Sequence, residues 1–371
     1  MTRLLIVIAA LATTTATTAT AAELVPTRLS WRSTEIDGGV VLNPVTSLAP
    51  FGNGVLVGHG FSNIGAVMIA ADGSASQVLD VAGEAPGHVD RPRALDVSRD
   101  GSLLALIGGI GGQGVVRRPV RPPFDHVAAI RSLDDTEGMP QGFGLRLVDG
   151  AVIRHTGVQP ATDYDALLVR LVRHDLGGAA PVVLHEEFES PNRQILGALA
   201  WVWDAERDGS VYLSDDYESG SIVALGPDGS VRFRVDVPVE ILRFDEDSVE
   251  QQKRQRDSMR GKVPEAVLPV VRETRRAIAH LSVRADEGRA FVVSSAGFGR
   301  GRDAVEQVAW WVVDTGTGEV LGQQRLDLPD GAWWVRTIEW FGDRIYVAAE
   351  DASRAGEPEV LCLERVDQGD R

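Results

Sequence analysis

One pattern recurs six times along this chain: an apolar-alternating run, a turn with Gly or Asp, a second β-rich run and a polar loop. The copies span 45–58 (VTSLAPFGNGVLVG), 93–108 (RALDVSRDGSLLALIG), 144–157 (GLRLVDGAVIRHTG), 198–215 (ALAWVWDAERDGSVYLSD), 277–295 (AIAHLSVRADEGRAFVVSS) and 335–351 (VRTIEWFGDRIYVAAED). The second runs begin at Val55, Leu103, Val152, Val211, Ala290 and Ile345, at intervals of 48, 49, 59, 79 and 55 residues. The longest interval holds an insertion of about 37 residues, near 240–276, and removing it leaves about 42. A unit this short cannot bury its apolar face alone and must stack on its neighbours. Units of roughly 42–59 residues fit four-stranded propeller blades.

The remaining strands of a blade are also legible. Gly65 to Ile69 leads through Asp72-Gly73 to a run ending in Val78 and Leu79. Ser221 to Leu225 leads through Asp228-Gly229 to Val231–Val235, and Val308 to Val313 leads through Gly316-Thr317-Gly318 to Val320–Leu326. Asp-Gly between two alternating runs marks a hairpin, because type I′ turns need positive φ at both central residues. The pattern predicts an all-β, six-bladed β-propeller of four-stranded antiparallel blades, one domain over residues 24–367, with one helical insertion. The segment Leu24 to Trp31 is expected to close the ring against the last blade. A two-sheet sandwich would not explain six units at this spacing.

Arg3, the apolar run Leu4 to Ala12, and Ala19-Thr20-Ala21 read as a secretory signal peptide over residues 1–21. The apolar run is too short to span a bilayer. No cysteine near the exit offers a lipid anchor. The expectation is an exported protein, periplasmic or extracellular, without a membrane span. The net charge of −16 argues against general nucleic-acid binding, since phosphate repels such a surface. The single cysteine, Cys362, excludes an internal disulfide framework and a multi-cysteine metal cluster.

The stretch Gly83-Glu84-Ala85-Pro86-Gly87-His88-Val89-Asp90-Arg91-Pro92-Arg93-Ala94-Leu95-Asp96-Val97, with Asp100-Gly101 beyond it, resembles an NHL-type blade junction. Residues 22 onward resemble secreted bacterial six-bladed propellers of the NHL/TolB-like group. Members often carry a charged helix in one blade, followed by a proline and a basic residue; here these are Asp245 to Gly261, Pro269 and Arg275-Arg276. The resemblance implies the fold. It leaves function open, since such propellers include binding modules, lactonases, esterases and dehydrogenases.

Within the insertion, Ser248-Val249-Glu250-Gln251 reads as a capping box with Ser248 as N-cap, and Gly261 suits the C-terminal end. Lys253, Arg254, Arg256 and Arg260 fall where the helix dipole favours cations. The helix is either a solvated excursion over one face of the disk or a partner-binding element.

Innermost strands of a propeller line its channel. Aligned on the small-then-aliphatic pair that opens each inner strand, Arg93, Arg276 and Arg336 share one register with Thr46, Phe143 and Gly197. Arg91, Arg193 and Arg275 fall near the same rim. Guanidinium groups converging there suit a small anionic ligand, or they pair with acids of neighbouring blades. Loops after the second strands add His59, the glycines of 108–114, Asp215-Asp216-Tyr217-Glu218 and Gly297-Phe298-Gly299-Arg300.

The first reading is a ligand- or protein-binding module with Arg93, Arg276, Arg336, His59, Arg193 and Arg300 as ligand-contacting candidates. The alternative is a Ca²⁺-dependent hydrolase of the lactonase or phytase-like esterase kind, with Asp215 and Asp216 as first metal ligands. No H-E-x-x-H or G-x-S-x-G motif is present, and the seven histidines are scattered. In Trp310-Trp311 and Trp333-Trp334 the two rings of each pair face opposite sides of a strand. Core packing is the expectation for them, with one ring a possible shelf near the channel.

Overall fold

The computed structural model describes residues 22–366 except 34, 37–39, 42–44, 53, 60–65, 74–75, 80–82, 84, 90–91, 99, 109–113, 119, 121–122, 124, 131–137, 161–166, 190–200, 264–267, 285–287, 299–303 and 355–356. The signal-peptide segment lies outside the described residues. Each of the first five repeats folds into an antiparallel four-stranded meander, over 45–79, 92–130, 138–189, 202–236 and 278–327. The sixth contributes three strands over 333–365. The innermost strands are Val45–Phe51, Pro92–Val97, Gly138–Val148, Val202–Ala205, Ile278–Arg284 and Trp333–Phe341. Each touches the next, and the last touches the first. The result is a six-bladed β-propeller.

The ring is closed by the N-terminal segment. Strand Thr27–Ser33 pairs antiparallel with Glu357–Arg365 and becomes the outermost strand of blade 6. Leu24, expected in the same closing strand, belongs instead to Glu23–Leu24, which adds in parallel to the outer strand of blade 5. Trp31 fastens the seam. Its indole N–H donates to Ala71 O of blade 1 at 2.8 Å, and its ring lies over Gly73, whose φ of +70° a side chain would disfavour.

The core is divided among six apolar clusters, each lying between two neighbouring blades. This follows from alternation: a blade buries both faces, one on each neighbour. The tryptophan pairs show it directly. Trp310 packs between blades 5 and 6, stacked edge-on against Phe291 and Trp340, while Trp311 packs between blades 4 and 5. Each fully buried Val, Leu or Ile adds about 1.5–3 kcal/mol, and no disulfide supplements this, since Cys362 is buried and free.

The loops after the second strands fall on one face of the disk, and the turns joining the first to the second and the third to the fourth strand of a blade on the other. Several of their aspartates cap their own turns. Asp100 accepts from Ser98 Oγ and Ser102 N, Asp228 from Ser230 N, and Asp314 from Gly316 N and Thr317 N. These acidic residues are thus turn chemistry.

The insertion leaves blade 4 as an extended arm, carries helix α1 (Glu246–Met259), and returns beside its outgoing arm. Phe244 N donates to Glu273 O and Arg275 N to Leu242 O, both at 2.8 Å. The expected capping box does not form. Asp245 is the N-cap, accepting from Ser248 N at 2.6 Å, so helix begins two residues before Ser248. An ionised carboxylate at that position also meets the positive end of the helix dipole. The helix buries no residue. Gln252 ties it down through two bonds to the backbone of Arg272.

Candidate functional site: the channel belt and its N-terminal mouth

Five of the six inner strands carry a β-bulge at one level. The extra residues are Thr46, Arg93, Phe143, Ala279 and Arg336. Blade 4 starts its strand just past that level, at Val202, leaving Trp201 there. This corrects the sequence register in blade 5. Arg276 precedes the bulge by three residues and lies on the incoming connection. The pair Ala277-Ile278 imitates the small-then-aliphatic start, but the equivalent pair is His280-Leu281.

Three residues beyond each bulge, the inner strands present Ala49, Asp96, Arg146, Asp204, Ser282 and Glu339, one per blade. These form a belt around the axis. Its bonds run from blade to blade. Asp96 of blade 2 accepts from Leu147 N of blade 3 at 2.7 Å, and Asp204 of blade 4 accepts from Val283 N of blade 5 at 2.8 Å. Both donors are backbone groups on the channel-facing edge of an inner strand, where no further strand can satisfy them. Arg146 Nε donates to Asp204 Oδ1 at 2.5 Å, and Nη2 to Glu339 Oε1 at 3.3 Å. Ser282 Oγ donates to Glu339 Oε2 at 3.1 Å.

Glu339 breaks the pattern for a covalent reason. The blade 1 residue equivalent to Leu147 and Val283 is Pro50, which has no N–H to donate. Glu339 therefore takes side-chain donors: Arg146 from the facing blade and Ser282 from the preceding one. Blade 1 contributes Ala49 at the belt, and Val97 N beside it is satisfied by Asp96 Oδ1 instead.

Three carboxyl groups share one guanidinium, and the belt titrates accordingly. Burial raises the pKa of Asp96 to about 6, against the pull of Arg146 and of two backbone donors. Burial raises that of Glu339 to about 8, with Arg146 opposing and Asp204 adding. Burial works against the charge of Arg146, but Asp204, Glu339 and Asp96 outweigh it and hold the guanidinium protonated beyond its ordinary range.

The mouth at the N-terminal ends of the inner strands has a different character. Tyr217, in the loop after the second strand of blade 4, carries the Arg272 guanidinium 3.8 Å from its ring centre and that of Arg276 at 5.4 Å. The loop is fixed by Ala277 N donating to Tyr217 O and by Thr274 Oγ1 donating to Glu218 Oε1. Arg275 lies over Phe244. Nearby, His155 stacks on Trp201 at 5.1 Å with Trp203 edge-on at 6.2 Å. Burial, then Arg276 and His185, lower the pKa of His155 to about 3.

The other candidates are dispersed. Arg336 makes two 2.7 Å bonds to Glu350 on the adjacent strand of its own blade. Arg93 and His59 sit on described strands, but their side chains lie outside the described residues, as do Arg91, Arg193, Gly197 and Arg300 entirely. Asp216 accepts from Glu218 N at 3.0 Å in its own turn, and Asp215 lies near enough to His185 to oppose the burial that lowers its pKa. Among the described residues no group of three or more His, Cys, Asp or Glu is set to hold a metal ion. The belt carboxylates converge on Arg146 rather than on an open point. No helix among the described residues is long and apolar enough to cross a membrane.

Asp96, Arg146, Asp204 and Glu339 were not singled out by the sequence reading, though a signal for them exists. Each follows an apolar residue inside the innermost strand of its repeat: Leu95-Asp96, Leu145-Arg146, Trp203-Asp204 and Ile338-Glu339. A charge there is costly unless paired.

No protein-family model matches the chain, and no curated protein matches it by sequence. Solved structures share its fold at low identity. A protein of Bacteroides fragilis provisionally described as exported is 11% identical, with a TM-score of 0.49 over 92% of this chain and 96% of that one. The β-propeller domain of Swd1 from Myceliophthora thermophila is 11% identical, with a TM-score of 0.43 over 92% of this chain and 100% of that one. A protein of unknown function from Desulfotomaculum acetoxidans is 10% identical, with a TM-score of 0.43 over 88% and 87%.

Proposed function

We propose that this protein is an exported binding module that takes a small anionic ligand at the N-terminal mouth of its channel. The observation that carries the reading is the placement of Arg272 and Arg276 over the one ring of Tyr217. A ring contact orients a guanidinium, and its planar fork of donors matches carboxylate and phosphate oxygens. Arg336 is a weaker candidate, since Glu350 already occupies its fork. Export rests on Arg3, Leu4 to Ala12 and Ala19-Thr20-Ala21.

The test is thermal unfolding of the chain from residue 22 with inorganic phosphate, a phosphate ester, gluconate and Ca²⁺, each supplied separately. A ligand of the folded state stabilises by about 2.7 kcal/mol at a hundredfold excess over Kd. Stabilisation by an anion, lost in Arg272→Ala combined with Arg276→Ala while the variant still folds, is the expected result. An anion effect unchanged in that variant, or no anion effect at all, removes this reading. Stabilisation by Ca²⁺ alone would favour the hydrolase.

A further inference from the structure

The belt holds more acid than base at the one level where the inner strands converge. Blades 3 and 6 face each other in a six-membered ring, so Arg146 reaches across the axis to Glu339. The groups facing Glu339 are few. They are Arg146 from blade 3, Asp204 from blade 4, Asp96 from blade 2, and from blade 5 Ser282 and His280, whose Nε2 lies 4.0 Å from Oε1. Blade 1 offers Ala49, whose side chain is apolar, and Pro50, which has no N–H. With Asp96, Asp204 and Glu339 all ionised, two negative charges stay unbalanced in a space where their side chains are largely withdrawn from water.

We propose that the belt is a proton-operated lock on the channel: while Glu339 holds one proton the inner strands close around Arg146, and release of that proton to alkaline solution adds a third carboxylate charge to the belt and loosens it. The proton passes between solvent and Glu339 Oε2. Ser282 Oγ accepts as readily as it donates, so both forms of the carboxyl keep a partner there. Burial and the neighbouring carboxylates favour the protonated form near neutral pH, with the transition at about 8. Once Glu339 ionises, it holds Arg146 more strongly but repels Asp96 and Asp204, and outward movement of the inner strands relieves that repulsion. The inference stands on the belt and does not depend on the ligand proposed for the mouth.

Hydrogen exchange of the amides of Leu147 and Val283 reads the lock directly, because their acceptors are the belt carboxylates. After correction for the intrinsic rate, their opening constant should rise from pH 7 toward the transition, by up to about tenfold per pH unit below it, and level off by pH 9. In Glu339→Gln, a neutral isostere, it should stay flat. A flat wild-type profile, or a parallel rise in both proteins, overturns the proposal. Should Glu339→Gln fail to fold, infrared spectra of the wild type decide. A protonated-carboxyl band at pH 7 that vanishes by pH 9 is expected, and its absence at pH 7 overturns the lock.

Discussion

Arg146 and Glu339, 193 residues apart in the chain, meet across the axis of the disk, with Nη2 donating to Oε1 at 3.3 Å. Their strands belong to opposite blades, so neither local pairing nor a shared interface brings them together. Arg146 also holds Asp204, and through these bonds one side chain links three of the six inner strands.

Replacing that side chain by an apolar one of similar length tests its weight. Arg146→Met should leave three carboxyl groups without their cation and lower stability by about 3–5 kcal/mol near pH 8, as breaking a buried pair does. The loss should shrink below pH 5, where Asp96 and Glu339 are protonated in the folded state. Urea unfolding at the two pH values measures both.

Pro50 supplies the complementary test. Pro50→Ala restores an N–H where Glu339 otherwise finds none. The ionised carboxylate then gains a donor. Because folded Glu339 has a raised pKa, it contributes stability below about pH 4.5 that is lost as pH rises through about 8. A new donor to the charged form reduces that loss, so the variant should be less sensitive to alkali than the wild type. Unfolding midpoints at pH 6 and pH 9 would show it, and equal sensitivity would discount the missing N–H.

His155 has the opposite sign. Its folded pKa of about 3 lies below the ordinary 6.5. The unfolded chain therefore binds a proton that the folded one refuses, and stability falls as pH drops from 6.5 toward 3. At 2% exposure the effect is on the order of 2–3 kcal/mol by pH 4. His155→Phe should keep the stack on Trp201 and remove this acid-side loss. Denaturant midpoints at pH 7 and pH 4 give the comparison.

The seam that closes the ring is sensitive at Gly73. A Cβ there would lie 2.7 Å from Cγ of Trp31, at a φ of +70°. Gly73→Ala should cost about 2 kcal/mol or more, by strain and by displacing the indole that bonds Ala71 O. Near-ultraviolet circular dichroism and thermal unfolding would record both effects. Gly150→Ala, with φ of +69° but open space around it, should cost less.

What the sequence determined by itself is everything that depends on neighbours in the chain. Alternation set the strands, Asp-Gly pairs set the turns, and six spaced repeats set the number of blades. The helix was legible too, though it begins earlier than Ser248, because Asp245 takes the N-cap position and accepts from Ser248 N. Ring closure decided the rest. The register of Arg276 is hidden by a bulge whose extra residue leaves no mark in composition. The belt needs blades 2 to 6 in place before Asp96 can reach Leu147 N or Arg146 can reach Glu339. A charge inside a strand shows in the sequence as a cost. Only the closed ring, which draws inner-strand edges from distant repeats to one axis, supplies the partners that offset it.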